Sequence, residues 1–251
     1  MKIKLLFFTV LVVVLSCKKV PIYESNWAPD QEEKVITGHD KSYQISWQLK
    51  NDEQFLYLDL YSSYMPTVSK ILRTGFKFYV DQSNSKSEEF YINYPLKPVK
   101  KEVARNERGP WPGGPRDRVL DDGDRSKMRN RMLERMPKEF KLNSLSGKST
   151  ENVDSAKFYS LQLQFDSGGT FNYALKFPIN DFVKNKVETF TIGLESGAFD
   201  LSLMSGMYGG RPGGSRPGGG ENMVGSNPMA AQMAEMQDPI KIWFQVNLAN
   251  K

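Results

Sequence analysis

Residues 54–81, QFLYLDLYSSYMPTVSKILRTGFKFYVD, form the stretch that decides the fold. Every second residue from Leu56 to Leu60 is a leucine, and the residues between them are aromatic or acidic. From Phe76 to Val80 apolar residues again alternate with Lys77 and Tyr79. Period-two alternation rich in aromatic residues is typical of a strand that buries one face. The stretch predicts two strands joined by a short polar connection, and with them an antiparallel β-sandwich.

The same alternation recurs on both sides of this stretch. It predicts about nine or ten strands in an all-β chain, with a hairpin turn at Asn51-Asp52 and a polar turn at 38–41. Besides the two strands above, the predicted strands cover residues 34–37, 43–49, 90–94, 158–165, 171–177, 190–194, 198–203 and 240–248. A short helical turn is predicted within 178–185.

Two segments rich in Gly, Pro, Arg and Met interrupt the strand pattern, at about 97–139 and 205–237. Each predicts a short helix with methionines along one side, at about 125–136 and 229–236. Neither the strands before the first insertion nor those after it look sufficient to form a domain alone, so residues 27–249 are predicted to form a single sandwich domain. Two smaller domains are the alternative.

The first residues have the composition of an export signal. Lys2 and Lys4 precede an apolar run at 5–15, which is shorter than the roughly 20 residues that span a bilayer. The run ends in Ser16-Cys17, which resembles a bacterial lipobox. We therefore expect a signal peptide at 1–16, a lipid on Cys17 and a lipidated tether at 17–26. Cys17 is the only cysteine, which excludes a disulfide within the chain.

The positive charge is local. The chain of 251 residues has a formal charge of +5, and residues 100–138 hold eight arginines and four lysines against seven acidic residues. Removal of residues 1–16 would take away Lys2 and Lys4 and so lower the formal charge of the chain by two. The rest of the mature chain is close to neutral, so the basic composition does not indicate nucleic-acid binding.

Several stretches resemble one known family. They are DEQFLYLDL at 52–60, ILRTGFKFYVDQSNSKSEEFYINYPL at 71–96, FNYALKFPI at 171–179 and PIKIWFQVNLA at 239–249. Together they are similar to the carbohydrate-binding family 9-like (DOMON-like) sandwiches of Bacteroidetes-type lipoproteins. The resemblance implies a β-sandwich fold and an envelope location, and it carries over neither an activity nor a sugar or calcium site.

The sequence offers little for catalysis or for a cofactor. The single histidine, His39, stands in a Gly-His-Asp turn, and no Cys/His spacing fits zinc. Nine methionines lie between Met128 and Met236; such thioethers can bind Cu(I), but their helical spacing favours apolar packing. We expect no catalytic residue, no metal site and no cofactor.

Aromatic residues on the non-core face are the candidates for ligand binding. Strand alternation places Trp243, Tyr57 and Tyr79 there, unless an insertion covers them. The sequence thus predicts an exported, lipid-anchored, non-catalytic binding module with a glycan as the expected ligand. The alternative is a scaffold that binds envelope proteins through its basic, Met-rich insertions. Since Lys18-Lys19 rather than an acidic run follows Cys17, we expect it on the outer membrane, facing the periplasm.

The lipid anchor can be tested by mass spectrometry of the protein purified from a bacterial membrane fraction. We expect the mature chain to begin at Cys17 and to carry a lipid, and Cys17→Ser to leave the chain unlipidated and released from the membrane. An unmodified Cys17 in the wild-type chain would contradict the prediction.

Overall fold

The computed structural model describes residues 20–28, 35–98, 122–184, 187–198 and 237–250. Within these ranges the chain forms two packed β-sheets, which confirms the predicted all-β sandwich. One sheet has seven strands and the other has six.

The strands of the seven-stranded sheet are β1 (Ile22–Glu24), β6 (Phe76–Asp81), β7 (Tyr91–Asn93), β8 (Glu139–Ser144), β9 (Gly147–Asn152), β12 (Thr189–Ser196) and β13 (Lys241–Asn247). They pair in the order β1-β13-β12-β6-β7-β8-β9. The sheet is antiparallel except where β1 runs parallel to β13.

The strands of the six-stranded sheet are β2 (Asn26–Trp27), β3 (Gly38–Asp40), β4 (Ile45–Asn51), β5 (Phe55–Ser62), β10 (Ser160–Phe165) and β11 (Phe171–Pro178). They pair in the order β10-β11-β5-β4-β2, and β3 also pairs with β4. This sheet is likewise antiparallel except for the pair β2 and β4. The helices are α1 (Met65–Thr74), α2 (Asp122–Glu134) and a 3₁₀ turn at Ile179–Asp181, inside the range predicted for a helical turn.

The two strands of the deciding stretch are present but do not lie side by side. Helix α1 connects them, and β5 belongs to the six-stranded sheet whereas β6 belongs to the seven-stranded one. The predicted polar connection was therefore wrong. Val68, Ile71 and Leu72 carried a helical signal at i, i+3 and i+4, and all three are buried.

Several predicted boundaries also need correction. Thirteen strands are present in the described ranges: β1, β2 and the hairpin β8–β9 fall where no strand was predicted, and β3 replaces the predicted turn at 38–41. Residues 35–37 of the strand predicted at 34–37 do not form a strand. The sandwich begins before residue 27, since β1 and β2 pair with β13 and β4. The tether predicted at 17–26 therefore overlaps the folded domain from Ile22 onward.

Helix α2 confirms the helix predicted in the first insertion. Strand β8 begins at Glu139, the residue at which that insertion was predicted to end. The helix predicted near 229–236 lies outside the described residues, as do residues 199–203 of the last weak strand. No helix among the described residues is long and apolar enough to cross a bilayer.

The core lies between the sheets, where aromatic rings from both meet. The Trp47 ring on β4 stacks on the Phe244 ring of β13, with centroids 4.8 Å apart and planes 9° from parallel. Tyr23 of β1 contacts both rings edge-on, at 5.3 and 5.7 Å. Gly38 lies against the Trp47 indole, so a side chain there would collide with it. This cluster joins the two sheets at the edge where the chain enters the fold.

We expect Phe244→Ala to lower the free energy of unfolding by about 3–5 kcal/mol, because it removes a fully buried ring and leaves a cavity. Urea denaturation followed by fluorescence would measure the change. Lys241→Ala on the same strand is the matched control, since Lys241 is exposed, and should change stability by about 0.5 kcal/mol or less. Equal effects of the two substitutions would contradict the assigned core.

Candidate functional site

The outer face of the seven-stranded sheet carries a row of aromatic side chains. The strand register places Trp243 opposite Gly193, Gly193 opposite Tyr79, and Tyr79 opposite Tyr91. Since the flanking residues of these strands point into the core, alternation directs all four positions outward. We call Trp243, Tyr79 and Tyr91 the aromatic row.

Gly193 gives the aromatic row its shape. A Cβ atom at this position would lie 2.6 Å from carbon atoms of the Trp243 six-membered ring, so only glycine leaves room for the indole above the strand. Trp243 thereby reaches across β12 to Tyr79, and the two rings stack with centroids 5.7 Å apart and planes 14° from parallel. Tyr91 meets Tyr79 edge-on at 6.2 Å. Three strands thus contribute to one aromatic surface.

Within the aromatic row Tyr79 is the buried member. Its relative exposure is 1 %, whereas Trp243 and Tyr91 are partly exposed. The Tyr79 hydroxyl donates to Glu195 Oε2 at 2.7 Å, and burial together with this carboxylate raises the pKa of Tyr79. Tyr79 therefore supports the surface, and Trp243 and Tyr91 are the members that a ligand can touch.

Polar groups with unused hydrogen-bonding capacity surround the aromatic row. The indole N–H of Trp243, the hydroxyl of Tyr91 and the side-chain amides of Asn93 and Gln245 make no hydrogen bond with another described residue. These side chains are all partly exposed, and none of their polar atoms is among the buried unpaired ones. Buried polar groups are nearly always paired, whereas accessible ones can bind water or a ligand.

The polar edges of this surface are held by specific contacts. Lys241 donates to Glu88 Oε1 at 2.8 Å, and this hydrogen bond raises the pKa of Lys241. Thr191 donates to Asn84 Oδ1 at 2.7 Å, which ties the loop after β6 to β12. These two hydrogen bonds hold the segment 84–88 against strands β13 and β12 at the border of the surface.

Asp81 organises that loop. Its carboxylate accepts from the backbone N–H groups of Ser83 and Ser87, at 2.8 and 3.0 Å, and from the Ser83 hydroxyl at 2.6 Å. Burial alone would raise the pKa of Asp81, but these donors outweigh it and lower the pKa below its usual value.

Tyr57, the third aromatic residue predicted from sequence, lies on the opposite side of the molecule. It points outward from β5 in the six-stranded sheet, and its hydroxyl donates to Asp52 Oδ2 at 2.7 Å. Burial and this carboxylate raise the pKa of Tyr57 to about 12. Lys176 lies over the neighbouring Phe55 ring at 4.0 Å. The structure thus brings Trp243 and Tyr79 together and leaves Tyr57 apart.

A second concave site lies at one end of the sandwich. This cleft of about 520 Å³ is lined by Trp27, Asn51, Asp52, Glu188 and Leu248, among others. Asp52 there already accepts three hydrogen bonds, from the backbone N–H groups of Gln54 and Phe55 and from the Tyr57 hydroxyl. Trp27 is the single aromatic residue among the described residues that line the cleft.

The ring of His39 lies on β3 and contacts the Ser46 hydroxyl at 3.0 Å. No group of three or more His, Cys, Asp or Glu side chains suited to a metal ion occurs in the described ranges. Cys17, Trp111 and most of the two insertions lie outside those ranges. The predicted lipidation and the predicted role of the insertions in protein binding therefore stay predictions.

Two contributors to this surface were missed from sequence. Tyr91 and Gly193 were assigned only to strands. Their spacing along the chain gives no sign of their proximity, because it arises from pairing between β6, β7, β12 and β13. The available signal was a glycine in the middle of a predicted strand, which often marks a close approach.

The fold and surface together define a β-sandwich with an aromatic platform on one outer face. No protein-family model matches the chain, and a search of curated proteins found no match. Among solved structures, it is similar to a carbohydrate-binding module of family 9 from Caldicellulosiruptor kristjanssonii in complex with glucose. The identity is 7 %, the TM-score is 0.34, and the match covers 92 % of this chain and 96 % of that one.

The loop held by Asp81 makes stability depend on pH. Because its folded pKa lies below the usual 3.8, the carboxylate stabilises the fold above that value and loses this contribution as pH falls through the folded pKa. We expect Asp81→Asn to lower the free energy of unfolding at pH 7 by about 1–3 kcal/mol. The difference from wild type should shrink below about pH 4.

Urea denaturation at several pH values between 7 and 2.5 would measure this effect. Asp154→Asn is the matched control, because Asp154 is exposed and its carboxylate only approaches the exposed Lys138 at 3.6 Å. A difference between Asp81→Asn and wild type that stays constant with pH would contradict the assignment.

Proposed function

We propose that the protein is a non-catalytic, lipid-anchored module of the bacterial cell envelope that binds a glycan on the aromatic row. The observation that carries this proposal is the stacked pair Trp243 and Tyr79, which is set across Gly193 and bordered by unpaired hydrogen-bonding groups.

The chemistry of a sugar ring fits such a surface. One face of a pyranose presents C–H groups, and these are attracted to the negative face of an aromatic ring. The hydroxyl groups at the rim of the ring need hydrogen-bond partners once water is displaced. Trp243 and Tyr91 supply the aromatic contact, and Asn93 and Gln245 supply amides that can both donate and accept.

The carboxylates near the aromatic row favour binding over glycoside cleavage. A glycosidase uses two carboxyl groups on opposite sides of the scissile bond, one as acid and one as base or nucleophile. Here Glu195 accepts the Tyr79 hydroxyl and Glu88 pairs with Lys241. Both are held by structural partners, which supports a binding role.

The anchor proposed at Cys17 would keep the sandwich close to the membrane. Strand β1 begins at Ile22, and a fully extended chain advances at most about 3.3–3.6 Å per residue. The five steps from Cys17 to Ile22 therefore span about 18 Å or less. A glycan bound by this protein would lie within reach of the membrane surface, which we propose is the periplasmic face of the outer membrane.

A glycan array followed by calorimetry on the bound sugars would test the proposal with the full chain. We expect Trp243→Ala to weaken binding at least tenfold, because it removes the exposed stacking ring. Tyr57→Ala is the matched control: it removes an outward aromatic ring from the other sheet and should leave affinity unchanged. Absence of any bound glycan, or equal losses for the two variants, would contradict the proposal.

A further inference from the structure

Lysines dominate the strand positions next to the aromatic row. The register gives a second row across the same face, in which Lys241, Glu195, Lys77, Asn93 and Lys141 follow one another from β13 to β8. This second row, next to the aromatic row, thus contains three lysines and one glutamate.

Lys77 holds the central place among them. Its Nζ atom lies 5.8 Å from the ring centroid of Tyr79 and 5.7 Å from that of Tyr91, so the ammonium group sits above two aromatic faces. Among the described residues, no carboxylate lies within 4.0 Å of it. The charge is therefore fixed beside the aromatic row without an ion-pair partner from the described chain.

A small cavity opens beside Lys77. It has a volume of about 150 Å³ and is lined by Lys77, Lys97, Asn93, Thr74, Ser196 and Glu195, together with Gly75 and Gly197. At ~30 Å³ for each water molecule, about five waters would fill it, so a carboxylate or sulfate group fits inside. The negative charge of Glu195 opposes an anion there, but Lys77 and Lys97 also line the cavity, so the positive charges outnumber the negative one.

We infer that the ligand is an acidic glycan, in which a sugar ring covers Trp243 and Tyr91 and a carboxylate or sulfate enters the cavity beside Lys77. This inference rests on the proposed glycan-binding function and adds the chemical class of the sugar. Lys77 contributes the cation, Asn93 an amide N–H, and Lys97 a second positive charge. Carboxylate and sulfate present the same oxygen chemistry to these groups.

Matched neutral and acidic glycans would test the inference with the full chain. The probes are oligogalacturonate and its methyl ester, and sulfated and unsulfated dextran, measured by calorimetry at low and high salt. We expect the acidic member of at least one pair to bind tenfold or more tighter than its neutral partner. The preference should weaken with salt, because exposed charges are screened.

Lys77→Met keeps most of the aliphatic length and removes the charge. It should weaken binding of the acidic member by about ten- to a hundredfold, the usual effect of a lost charge-assisted hydrogen bond, and leave the neutral member unchanged. Lys50→Met on the outer face of the other sheet is the control and should change neither. If the galacturonate pair shows the acidic preference, the bound group is a carboxylate; if the dextran pair shows it, the bound group is a sulfate.

The failures of this inference and of the proposed function have different signatures. Neutral glycans that bind as well as acidic ones, and lose binding with Trp243→Ala, would overturn the acidic preference and leave glycan binding in place. An acidic preference unaffected by Lys77→Met would overturn the assigned cavity. Absence of binding to every glycan tested would overturn both.

Discussion

The stacking of Trp47 on Phe244 is the contact on which the rest of the sandwich depends. Each sheet buries one apolar face against the other sheet. The hydrophobic contribution to the free energy of unfolding therefore comes from contacts between the rings and aliphatic side chains of the two facing sheets. Trp47 and Phe244 link β4 with β13, and Tyr23 brings the entering chain into the same contact. Since β13 also carries Trp243 on its outer side, the core contact fixes the strand that presents the candidate ligand surface.

The two outer faces of the sandwich differ in how their polar groups are used. On the six-stranded sheet the hydroxyl of Tyr57 is bound to Asp52, and Gln48, Asp59 and Tyr61 have further interactions of their own. On the seven-stranded sheet Tyr79, Lys241 and Thr191 are likewise hydrogen-bonded, whereas the side-chain amides of Asn93 and Gln245 make no hydrogen bond with another described residue. What distinguishes this face is that these two amides lie on the same strands as the partly exposed rings of Tyr91 and Trp243.

The fold class was predictable from sequence because alternation is a local property. A leucine at every second position from Leu56 to Leu60 can serve only a strand with one buried face. Helix α1 was missed because its polar residues hid a short apolar stripe, and β9 because its sequence GKSTEN lies exposed at the edge of a sheet and shows no alternation. Strands of that kind are shaped by pairing and leave no pattern in the sequence.

The candidate site was predictable only in part, for a related reason. Alternation placed Trp243 and Tyr79 outward, but their contact arises from the register of β6, β12 and β13 and from the missing side chain of Gly193. Tyr57 obeys the same alternation and lies on the other sheet. Which outward aromatic residues meet depends on strand order, which the spacing of residues along a single chain does not encode.

The proposed contact between the ligand and Trp243 can be tested most directly by nuclear magnetic resonance, through the indole N–H signals of the tryptophans. The chain has four tryptophans, so each signal can be assigned by single substitution. During titration with a glycan that binds, we expect the Trp243 signal to shift and the signal of the buried Trp47 to stay in place. A shift confined to Trp27, at the cleft at the end of the sandwich, would show that the ligand binds elsewhere and would contradict the proposed site.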